Sequence, residues 1–92
     1  VNAASSSGVS AVQLVLIRDT PKGPEFRLLD VRGFSAEDQA RCAFEQGVAD
    51  IAIAMRTGFT PTALREWVEG GNAVATHPDA LCLYRIDPAE VQ

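Results

Sequence analysis

The chain has 92 residues, 47% of them hydrophobic and 22% charged, enough apolar material for one buried core and too little length for a second domain. Its 8 Lys and Arg against 12 Asp and Glu give a net charge of −4, the wrong sign for unspecific attraction to a phosphate backbone. Cys42 and Cys82 are too few and too far apart for a disulfide framework or a compact zinc or redox site, and no apolar run reaches the roughly 18 residues of a membrane-crossing helix.

These exclusions imply a soluble cytoplasmic protein without a membrane partner, with both thiols buried in a reducing compartment. Residues 1–10, VNAASSSGVS, are small and polar and lack the charged and apolar regions of a signal peptide. They read as a flexible lead-in to a single α+β domain over residues 11–92.

The run from Val12 to Arg18 is rich in aliphatic and β-branched residues and too short for a stable helix, so it predicts a strand. Prolines and a glycine between Asp19 and Pro24 break it, and Phe26, Leu28, Leu29 and Val31 resume the pattern up to Arg32. The pair predicts a β-hairpin with a medium-length loop. Ser35 followed three residues later by Asp38 is a helix start, with acidic residues where the positive end of the dipole favours them. From Ala36 the chain runs without proline through Gly47 to Met55, which predicts one helical segment, broken at most at Gly47. Within it Ile51 to Met55 is apolar all round, so this part of the helix must be covered on more than one side.

Thr60 before Pro61 opens a second helix, since threonine caps well and proline is tolerated at the first helical position. Leu64, Trp67 and Val68 share one of its sides, and Gly70-Gly71 ends it. Leu81 to Ile86 predicts a third strand, with Cys82, Tyr84 and Ile86 on one face and Leu81, Leu83 and Arg85 on the other. The expected architecture is a three-stranded, mostly antiparallel sheet with the helices packed on one face, in the order β-β-α-α-β. The last strand could sit at an exposed edge and pair with a second copy.

Ala54, Gly58, Phe59, Leu64 and Trp67, together with Gly47, stand at the spacing of a helix-turn-helix. Residues 36–70 resemble that motif as found in phage repressors, resolvases and transposases, with the turn inside residues 50–69. The resemblance implies duplex DNA as partner and a dimeric regulator that inserts the helix beginning at Thr60 into the major groove. It makes Thr60, Thr62, Arg65, Glu66 and Glu69 the outward face, Thr62 and Arg65 the base-edge contacts, and Arg41 and Arg56 the phosphate contacts.

Residues 35–71 also carry six acidic and three basic side chains, a surface that suits a protein partner. The alternative function is therefore a non-catalytic interaction module, of the kind that inhibits or adapts another protein through an acidic helical face or a sheet edge. His77 lies in a loop without a nucleophile or metal-ligand spacing, and no phosphate loop or catalytic triad order occurs. Neither an enzyme nor a cofactor is expected. Arg18, Arg27, Arg32 and Arg85 are interleaved with acidic residues, which predicts cross-strand pairing on a solvated face.

Overall fold

The computed structural model describes residues 11–85; the expected lead-in 1–10 and the end of the predicted last strand at Ile86 lie outside the described residues. Strands β1 (Gln13–Thr20) and β2 (Gly23–Asp30) form the hairpin, with a two-residue connection in place of the expected longer loop. Pro21 sets one corner of that turn, and Gly23, at φ 115°, adopts the conformation that side chains disfavour. Thr20 accepts a hydrogen bond from the Lys22 amide across it.

Helix α1 (Ala36–Glu45) starts as predicted, with the Ser35 hydroxyl accepting from the Asp38 amide. It does not continue to Met55. Gln46 caps its end, Gly47 takes φ 71°, the Gly47 amide donates to Phe44 O at 3.1 Å and the Val48 amide to Ala43 O at 2.8 Å. That pair of bonds is the Schellman arrangement, which uses up the last helical carbonyls and turns the chain out of the helix. Gly47→Ala is expected to cost about 1 kcal/mol, because no atom lies within 4 Å of the added methyl and only the left-handed backbone resists it. Chemical denaturation of the variant checks this value.

Residues Ile51–Met55 are strand β3, and this overturns both the predicted three-stranded sheet and the order β-β-α-α-β. The sheet has four strands in the order β2-β1-β3-β4, all neighbours antiparallel, and the chain runs β-β-α-β-α-β. Helix α2 (Pro61–Glu69) follows β3, with the Thr60 hydroxyl accepting from the Ala63 amide at 3.1 Å. A short 3-10 turn at Val74–Thr76 leads to β4 (Ala80–Arg85).

The helices pack on opposite faces of the sheet, not on one. Leu14 and Leu16 of β1 and Ala52 and Ala54 of β3 meet Ala36, Ala40 and Ala43 of α1. On the other face Val15, Ile53 and Met55 meet Leu64 of α2 and Val74. The sequence Ile-Ala-Ile-Ala-Met alternates bulk as well as direction, since a strand sends successive side chains to opposite faces. A central strand covered on both faces is apolar throughout, as a helix buried on all sides would be.

Candidate functional site

The residues proposed for DNA contact do not share one surface. Helix α2 carries Thr62, Arg65 and Glu66, all exposed, beside Thr60, whose hydroxyl is committed to the cap. Arg41 belongs to α1 across the sheet and reaches Glu37 at 3.5 Å. Arg56 follows β3, where its Nε lies 3.5 Å from Asp79 and its Nη2 donates to Pro78 O. The helix-turn-helix at residues 50–69 is also absent as a geometry, because its first helix is β3, and Gly58 lies between a strand and a helix.

The segment around Gly58 is held by the sheet. The Gln13 amide group donates to Phe59 O at 3.0 Å and accepts from the Phe59 N–H at 2.8 Å, imitating a strand neighbour. His77 is half-buried, with its ring edge-on to Phe59 and to Trp67, each centroid 4.8 Å away. Its Nδ1 accepts from the Asp79 backbone N–H at 3.1 Å, so the histidine closes the turn before β4, as a loop residue would. Thr57 donates to the Asp79 carboxylate at 2.9 Å, which ties the ends of β3 and β4 together. These contacts make the residues around Gly58 and His77 a structural junction.

Of the arginines expected on strands, Arg18 pairs across the hairpin with Glu25 at 2.8 Å, whereas Arg32 falls in the turn after β2. Arg32 binds Asp30 through several hydrogen bonds, which hold the Asp30 carboxyl down at about 2. Arg27 and Arg85 make no ion pair among the described residues. No group of three metal-ligating side chains gathers among the described residues, and no helix there is long and apolar enough to cross a membrane.

The two outer strands differ in chemistry. Strand β2, Gly-Pro-Glu-Phe-Arg-Leu-Leu-Asp, carries Pro24, Glu25, Arg27 and Asp30, the residues by which an edge is protected from further pairing. Strand β4, Ala-Leu-Cys-Leu-Tyr-Arg, carries one charge, at its end, and no proline. Leu81 is 36% and Leu83 44% exposed, two of the large apolar side chains most open to water. No described strand pairs with the outer edge of β4.

Register places Leu83 at the end of an apolar row. Leu28, Val15, Ile53 and Leu83 lie side by side across all four strands. Val15 and Ile53 are buried beneath α2, whereas the row emerges into solvent at Leu83. On the opposite face of β4, Cys82 and Tyr84 are half-buried, and the thiol donates to the Tyr84 oxygen at 3.2 Å. Burial pushes the Tyr84 phenol above its ordinary range. Cys42, expected inside, is exposed, because the buried stripe of α1 is made by Ala36, Ala40 and Ala43.

A recess lies between α2 and β2. Phe26 and Leu28 of β2 and Pro61, Leu64, Arg65, Val68 and Glu69 line an open groove of about 540 Å³. It exists because a single short helix is narrower than the sheet it covers. Sequence reasoning found β4 and the faces of its residues, and it raised edge pairing, but it could not rank the two edges without the strand order. Comparisons with family models, curated proteins and solved structures find no match to this chain.

Proposed function

We propose that this chain is a non-catalytic interaction module that engages a protein through the outer edge of β4. The observation that carries the reading is the contrast between the two edges: β2 is guarded by proline and charge, and β4 offers, beside Leu81 and Leu83, a backbone edge that no described strand pairs. An added strand gains main-chain hydrogen bonds along such an edge, and the alternating leucines supply apolar contact on one face.

The acidic balance of the chain fits this reading better than a nucleic-acid one. Helix α2 sets Arg65 against Glu66 and Glu69, and Arg41 lies across the sheet, so a duplex laid on α2 meets few cations. The expected outcome is no mobility shift with any duplex at low salt, and protein binding that Leu83→Lys abolishes while Arg65→Ala leaves it intact. A shift that Arg65→Ala removes would restore the regulator reading in place of this one.

A further inference from the structure

We infer that the partner of the β4 edge is a second copy of this chain, bound by antiparallel β4–β4 pairing about a two-fold axis at Leu83. The inference rests on the edge reading above and commits it to one occupant. A two-fold axis normal to the sheet keeps like faces together, so residues opposite one another must have the same side-chain direction. The axis therefore lies between a residue and its own copy, level with that residue and not with a peptide bond.

Centring it on Leu83 uses the regular part of β4, beyond the register shift at Ala54/Met55. Leu83 then meets its own copy on the face that carries α2, and Cys82 meets Tyr84 of the partner on the other face. Arg85, the only charge of β4, falls opposite the partner's Leu81, so no like charges oppose each other. The row Leu28-Val15-Ile53-Leu83 continues through the axis into its copy, and the half-exposed leucines become interior to an eight-stranded sheet. The edge of β2 cannot make the same pairing, since Pro24 withholds an N–H and its charges spread along the strand.

Self-pairing also answers the small size of the domain, which leaves apolar surface that one copy cannot cover. The test is the molar mass of the purified full chain by sedimentation equilibrium over a concentration series, run on wild type, Leu83→Lys and Glu25→Ala. The expected result is a mass of two chains for wild type and Glu25→Ala and of one chain for Leu83→Lys, with unchanged far-ultraviolet circular dichroism in all three. The register is read separately in a Cys42→Ser, Cys82→Ser background, where Leu83→Cys should form a covalent dimer under mild oxidation and Glu25→Cys should not.

A wild-type chain that stays monomeric throughout overturns self-pairing. The edge reading then stands only if another protein binds and Leu83→Lys removes it. A dimer that persists in Leu83→Lys overturns both, because the interface is then elsewhere. A dimer sensitive to Leu83→Lys but lacking the Leu83→Cys cross-link overturns the register and with it this inference.

Discussion

Ile53→Ala is expected to lower the unfolding free energy by about 2–5 kcal/mol, measured by urea denaturation with the slope unchanged. Ile53 is 2% exposed and belongs to the cluster formed with Val15, Met55, Leu64 and Val74. It lies between Val15 of β1 and Leu83 of β4 in register, so the methyl groups removed leave a space that two strand backbones and a helix border. A short helix could tilt into such a gap, but the hydrogen-bonded strands on either side limit the collapse. A loss of less than about 1 kcal/mol would mean that the site relaxes freely, contrary to close packing of β3 under α2.

Ala52→Leu is the second large effect, and it acts by the opposite mechanism. Ala52 is fully buried on the face where α1 presents Ala36, Ala40 and Ala43. Small residues on both sides let the helix lie close to the sheet, so three extra carbons must displace α1 or force a poor rotamer. The expected cost is about 1–3 kcal/mol. Ala63→Leu, on the exposed side of α2, is the control and should stay within about 0.5 kcal/mol of wild type. Equal behaviour of the two variants would contradict the close approach of α1.

These two positions also mark where local reading of the sequence stopped. The hairpin strands, the caps at Ser35 and Thr60, the proline start of α2 and β4 were legible because each rests on neighbouring residues. Strand β3 was not. Five apolar residues fit a buried helix or a buried strand equally well, and what decides between them is pairing with β1, from far back in the chain. Gly47 holds the one local signal, a helix stop with left-handed backbone, but a glycine there fits an interior break or a helix-turn-helix as well.

The same error moved the candidate site. A helical reading of residues 50–55 makes Ala54 and Gly58 resemble a crossing and its turn, and makes the outward residues of α2 a reading head. The structure instead gives Ala54 to the interior and Gly58 to a segment fastened by Gln13. The faces of Leu81 and Leu83 could be derived by alternation, whereas the outermost place of β4 depends on strand order, which no local pattern encodes.

Strand order has a further consequence during synthesis from the N-terminus. β1 and β2 can pair as soon as they emerge, but β1 keeps its second side open until α1 has been made and β3 arrives. The rim of β3 then waits in turn for the final strand of the set. Each stage of growth thus leaves a ribbon with one unfinished border, always on the same side, and crowding of nascent chains is most hazardous there until β4 has been made.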